Sequence, residues 1–164
     1  MTSFWRQFAL TIERINNAIG SGISWLILVM AIIVTLIVAM RSLFDLGWVA
    51  LQESVTYMHA STFMLCLAYT AHQKGHVRVD IFYRKMSDEA KAWVDVCGAV
   101  VFLLPFSLFL GLISWQFVLE AWAIHESSIN PGGIPAVYLL KTLMPIASGL
   151  LVLRALGEIA SQLV

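Results

Sequence analysis

The chain has 164 residues, of which 60% are hydrophobic and 12% are charged, and its mean hydropathy is +0.84. A soluble domain carries about twice that fraction of charged residues to cover its surface, so we expect lipid to surround most of the chain. Ten basic and ten acidic residues give zero net charge, which excludes the broad basic surface of a nucleic-acid-binding protein. Two cysteines are too few for a disulfide framework.

The residues before the first long apolar run form an amphipathic pattern. Its apolar side repeats at helical spacing through Phe4, Phe8, Thr11 and Ile15, and its polar side holds Arg6, Gln7, Glu13 and Arg14. This pattern predicts a short amphipathic N-terminal helix that lies in the lipid headgroup region. A simple extension of the first span is the alternative.

Four apolar segments are long enough to cross the hydrocarbon core, which takes about 20 helical residues. They cover residues 18–40, 51–71, 92–119 and 134–153. The first segment lacks a signal-peptide cleavage site, so we expect it to be retained. The predicted fold class is therefore an all-α integral membrane protein with four transmembrane helices, in which residues 1–164 form a single membrane domain.

The basic residues are distributed very unevenly between the two sides of this topology. Eight of the ten Lys and Arg residues fall before the first span, between spans two and three, or after span four. Arg41 alone falls in the loops on the other side. Because basic loops stay in the cytoplasm, we predict that both termini and the 72–91 loop are cytoplasmic.

Ionisable residues at membrane depth are candidates for function because a charge in hydrocarbon is costly. Glu53 lies near the start of span two, where ion binding, pairing with a partner and reaching the interface are open, and a structural or partner role is favoured. Lys141 lies about 10 Å into span four at 1.5 Å per residue. We expect Lys141 to pair with Glu53 or Glu120, or to extend towards the interface; direct substrate binding is a lesser alternative.

His59 is the one histidine deep inside a predicted span. A bis-histidine haem needs a second such ligand on another helix, so a haem site is not expected. We predict instead a hydrogen bond from His59 to a neighbouring helix. No metal-ligand spacing, nucleophile arrangement or phosphate loop occurs, so we expect neither a cofactor nor enzymatic activity.

Small residues recur on single faces of two spans. Ser107, Gly111 and Ser114 share a face of span three, and Ala31, Thr35 and Ala39 share one of span one. Such faces allow close helix packing, within the chain or against a partner. From the residues alone, the chain is expected to be a four-helix membrane subunit that works with a larger partner.

Several short motifs extend this interpretation. They are Leu51-Gln52-Glu53-Ser54, Ala68-Tyr69-Thr70, Gly75-His76-Val77-Arg78-Val79-Asp80, Ser114-Trp115, and the stretch from Glu126 to Pro135 followed by Tyr138, Lys141 and Pro145. With these motifs, nearly the whole chain resembles the small membrane subunit of the tripartite ATP-independent periplasmic transporters, the DctQ-like family.

The resemblance implies a scaffold in the bacterial inner membrane that holds a large permease subunit carrying the sodium and substrate sites. A periplasmic binding protein would deliver the substrate, usually an organic acid. The implied assembly residues in this chain are Glu53, His76, Arg78, Asp80, Glu126 and Lys141. Two other functions stay open, namely a membrane anchor of a redox enzyme and a stand-alone small transporter.

Overall fold

The computed structural model describes residues 2–72 and 86–162, which are almost entirely helical and contain no strand. Helix α1 covers Thr2–Phe44, and α2 covers Val49–His72. Helix α3 covers Asp88–Gly98 and continues through a π-helical turn, Ala99–Leu103, into α4, Leu104–Ala123. Helix α5 covers Val137–Gln162. The all-α prediction is confirmed.

The predicted separate helix at the N-terminus is not a separate element, because α1 runs without a break from Thr2 to Phe44. No proline interrupts this segment, so nothing in the sequence ends the helix early. Its buried face also differs from the predicted one. Ile12 and Asn16 are buried, whereas Ile15 is exposed, because the N-terminal part of α1 packs on Gly157 of α5.

Proline explains the π-helical turn between α3 and α4. Pro105 has no N–H, and its ring would collide with the carbonyl four residues earlier in a regular α-helix. The helical turn contains one extra residue here, and the Leu104 N–H donates to the Ala99 carbonyl, five residues earlier. At the other end of α3, the Ser87 hydroxyl accepts a hydrogen bond from the Ala90 N–H at 3.3 Å and caps the helix.

Helix α5 is the centre of the bundle. It packs against α1, α2 and α4, and also against α3 and the π-helical turn. Its inward face carries Leu150 and Leu151, which are joined by apolar side chains from α1, α2 and the π-helical turn. Ala147 and Ala155 on the same helix are fully buried, so neighbouring helices approach it closely.

The predicted small-residue face of span three is confirmed as a packing surface. Ser107 and Ser114 are buried, and the Ser148 hydroxyl of α5 donates to the Ser107 carbonyl at 2.6 Å. A Cβ atom at Gly111 would stand 2.5 Å from the Ser148 oxygen, so α4 and α5 fit only a glycine there. The corresponding face of α1 differs, because Ala31 and Thr35 are exposed on the outside of the bundle.

Three helical segments are long and apolar enough to cross a membrane: Leu10–Phe44, Glu89–Ala123 and Val137–Ala160. Helix α2 is not among them. Its 24 residues span about 36 Å at 1.5 Å per residue, which is sufficient length, but its composition is more polar. Three of the four predicted spans are therefore supported, and the crossing of α2 stays a prediction.

Candidate functional site

A polar cluster lies where α2 begins, where α4 ends and where α5 begins. We call it the Glu53–Lys141 cluster, and it consists of Glu53, Glu126, Ser128, Asn130 and Lys141. It brings together three of the six predicted assembly residues, namely Glu53, Glu126 and Lys141. The loop residues Ser128 and Asn130 bond to Glu53, whereas Lys141 pairs with Glu126.

The loop from Ile124 to Ala136 is compact because its backbone is bonded at both ends. The Glu126 N–H donates to the Ala121 carbonyl at 2.9 Å, and the Glu126 carbonyl accepts from the Val137 N–H at 3.0 Å. Glu126 thereby ties the end of α4 to the start of α5. Gly132 has a φ of 77°, a conformation that glycine adopts without strain, which lets the chain reverse.

Glu53 fixes the middle of this loop. One carboxylate oxygen accepts hydrogen bonds from the Ser128 hydroxyl and from the Asn130 amide, the latter at 3.0 Å. The other oxygen accepts from the Ile134 N–H at 2.7 Å. All three partners are donors, so an ionised carboxylate satisfies them and the loop is bonded to α2.

Gly133 is required by the same arrangement. A Cβ atom at this position would stand 2.6 Å from the Ser128 Cβ and 2.7 Å from a Glu53 carboxylate oxygen. Any side chain would therefore separate the loop from Glu53. The Pro131-Gly132-Gly133 sequence predicts an interruption of helical structure. The need for glycine at position 133 follows only from the contacts in the folded loop.

Lys141 pairs with Glu126, not with Glu53 or Glu120 as the sequence suggested. The Lys141 Nζ lies 2.5 Å from a Glu126 carboxylate oxygen and 3.8 Å from the centre of the Phe117 ring. The ammonium group therefore has an anion on one side and an aromatic face on another. Glu53 is occupied by donors from the loop, and Glu120 accepts from Gln116 on its own helix, which explains the different partner.

Aromatic side chains flank the cluster and link α4 to α5. The Trp122 indole N–H donates to the Thr142 hydroxyl at 2.9 Å. The Trp122 and Tyr138 rings meet edge to face at 4.7 Å, and His125 meets Tyr138 at 5.8 Å. Such edge-to-face pairs add to the stability of the contact between the two helix ends.

Two other sequence predictions have different outcomes. His76, Arg78 and Asp80 lie outside the described residues, so their role stays a prediction. The predicted hydrogen bond from His59 to a neighbouring helix is not formed within the described chain: its side chain is exposed on α2 and bonds to no residue that the structure describes. The residue is exposed, although α1 and α5 both pack on α2.

The polar groups of the Glu53–Lys141 cluster bond to one another and to the loop between α4 and α5. The carboxylate of Glu53 accepts hydrogen bonds at both oxygens, and the Lys141 ammonium pairs with Glu126. Within residues 2–72 and 86–162, no group of three or more His, Cys, Asp or Glu side chains is placed to hold a metal ion. The fold and this cluster define the class of the protein, a helical membrane protein whose polar groups hold helix ends together.

Comparison with known families identifies the class further. The model of the DctQ component of tripartite ATP-independent periplasmic transporters matches residues 30–164, and the chain belongs to this family. The chain is thus a membrane component of a transporter, and the family is not one of enzymes. No curated protein matches the chain, and no solved structure does.

Proposed function

We propose that this protein is the small membrane subunit of a tripartite transporter and that it scaffolds the large permease subunit. The observation that carries the proposal is the family match over residues 30–164, which includes the whole Glu53–Lys141 cluster. The transporter would use sodium to drive the uptake of an organic acid delivered by a periplasmic binding protein. The sodium and substrate sites would lie on the large subunit, with no cofactor on this chain.

The architecture is suited to a stationary part of a transporter. Helix α5 contacts every other helix, and the Glu53–Lys141 cluster bonds the ends of α2, α4 and α5. A bundle held at its centre and at one end resists relative motion of its helices. A permease that moves substrate through the membrane needs such a fixed support.

The proposal also fixes an orientation in the bacterial inner membrane. The two termini and the 72–91 loop would be cytoplasmic, because eight of ten basic residues lie there. The 124–136 loop would then face the periplasm, where it is available to the binding protein. His76, Arg78 and Asp80 would hold the cytoplasmic end of α2 against the large subunit or lipid headgroups.

Co-purification tests the proposal. A tagged copy, expressed with its neighbouring reading frames, should retain a large multi-span protein in roughly equal amount. Vesicles that hold both subunits should then take up an organic acid when the binding protein and a sodium gradient are present. Vesicles with this chain alone should show no uptake. Uptake by the chain alone, or a haem absorbance band in the purified complex, would contradict the proposal.

A further inference from the structure

The outward face of α2 differs from the outward faces of α1 and α4. Among residues 49–67, the exposed side chains after Ala50 are Gln52, Thr56, His59 and Phe63. These positions follow one another at intervals of four, three and four, so they lie in one line along the helix. We call this line the α2 stripe. It extends over about 16 Å, from 11 residues at 1.5 Å each.

The outward faces of the neighbouring spans are apolar. The exposed side chains of α1 include Ile27, Leu28, Ile32, Leu36 and Val38, and those of α4 include Phe106, Phe109, Leu112 and Ile113. Such faces match the hydrocarbon core of a membrane. The α2 stripe presents an amide, a hydroxyl and an imidazole instead, which lipid chains cannot hydrogen-bond.

The polar groups of the α2 stripe are not satisfied inside the described part of the chain. Ser54, Ser61 and Thr62 of α2 donate to carbonyls of their own helix, at 2.7 to 2.8 Å. The side chains of Thr56 and His59 have no hydrogen bond to a described residue. His59 lies about 15 Å from the start of α2, from 10 residues at 1.5 Å each, which is close to the middle of a hydrocarbon core of about 30 Å.

We propose that the α2 stripe is the surface on which a membrane-spanning helix of the large subunit docks. That helix would carry a hydrogen-bonding side chain, such as Ser, Thr, Asn or Gln, at the depth of His59. This inference rests on the proposed function and adds the contact face. It also explains why α2 is not apolar enough to be a span on its own: a protein partner, and not lipid, covers one of its sides.

Photo-crosslinking tests the docking face with a matched control. Phe63 on the α2 stripe is 60% exposed, and Phe109 on α4 is 61% exposed. Each lies about 21 Å from the helix end that faces the Glu53–Lys141 cluster, from 14 residues at 1.5 Å each. A benzoylphenylalanine at Phe63 should form an adduct with the large subunit, whereas one at Phe109 should not. An adduct with a second copy of this chain, equal adducts from both positions, or none from Phe63 in an intact complex would overturn the inference.

Substitution tests the polar contacts independently of crosslinking. His59→Leu and Thr56→Val should each lower the yield of co-purified large subunit by about threefold, the typical effect of one hydrogen bond between membrane helices. Thr35→Val on α1 is the control, because the Thr35 hydroxyl is exposed but donates to its own helix at 2.9 Å. Unchanged yields for both α2 variants would overturn the inference. If the unsubstituted chain retained no large subunit at all, the proposed function itself would fail with it.

Discussion

Glu53 shows how one side chain can fix a loop of 13 residues. Its carboxylate faces two side-chain donors and one backbone donor, and a carboxylate has enough lone pairs for all of them. An amide in its place has one acceptor oxygen, and its NH₂ group would meet the N–H of Ile134 or the donors of Ser128 and Asn130. The negative charge is therefore needed for the geometry of the loop.

We expect Glu53→Gln to loosen the 124–136 loop. At least one donor would lose its acceptor, so amide hydrogen exchange in the loop should become faster while exchange in α5 stays unchanged. Hydrogen exchange with mass spectrometry measures this. Glu120→Gln is the control, because Glu120 bonds only to Gln116 among the described side chains. Equal exchange rates in the native chain and in Glu53→Gln would show that the loop is held by its backbone alone.

Lys141 and Glu126 should be energetically coupled. Their side chains are 17% and 29% exposed, so solvent screens the pair less than it would a surface pair. We expect a coupling of about 1–3 kcal/mol, between the values for exposed and buried pairs. A double-mutant cycle of Lys141→Met and Glu126→Gln, read from the midpoint of thermal unfolding, measures it. Additive effects would mean that the ion pair contributes nothing beyond its separate side chains.

The sequence identified the charged members of this cluster but not their partners. A charged residue within an apolar segment can be recognised from the sequence alone, so Glu53 and Lys141 could be selected directly. The choice of Glu126 depends on how the loop folds back, which follows from Gly132, Gly133 and the bonds at both ends of the loop. The outward position of His59 could not be predicted, because polar residues occur all around α2 and its sequence pattern indicates no outward face.

At the scale of the helices, α4 and α5 approach closely at Gly111. Gly111→Val should lower the stability of the bundle by about 1–3 kcal/mol, because the new side chain would displace Ser148 from the Ser107 carbonyl. Gly149→Val is the matched control, since a Cβ atom there meets nothing within 4 Å. Thermal unfolding in detergent, followed by circular dichroism, compares the two. Similar losses for both variants would point to helix propensity and not to the contact.

Helix positions were predictable because apolar length and chain breakers are local properties. The predicted segment 92–119 lies within α3–α4, which covers residues 88–123. The predicted segment 134–153 overlaps α5, which begins at Val137 and continues to Gln162. The continuity of α1 agrees with the alternative that the sequence left open, a simple extension of the first span, and not with a separate amphipathic helix. The π-helical turn follows from Pro105, yet the sequence alone could not distinguish it from a kink.

At the scale of the whole molecule, the distribution of charge predicts which side each loop faces. In a variant without Cys66 and Cys97, a cysteine at Ser127 should react with a membrane-impermeant thiol reagent in intact cells. A cysteine at Met86 should react only after the membrane is opened. Both positions flank helix ends in the described chain, and Met86 is 38% exposed. Labelling of Met86→Cys in intact cells would show that the orientation is the opposite of the predicted one.

The central place of α5 has a consequence for biosynthesis. Helices α1 and α2 contact each other and can pair as soon as both leave the ribosome, whereas α4 packs chiefly on α5. Until α5 is inserted, α4 has no comparable neighbour among the helices that the structure describes, and α5 does not yet cover Ser107 and Gly111. The contacts between α1 and α2 therefore need no later helix, whereas the main contacts of α4 form only after α5 has been translated.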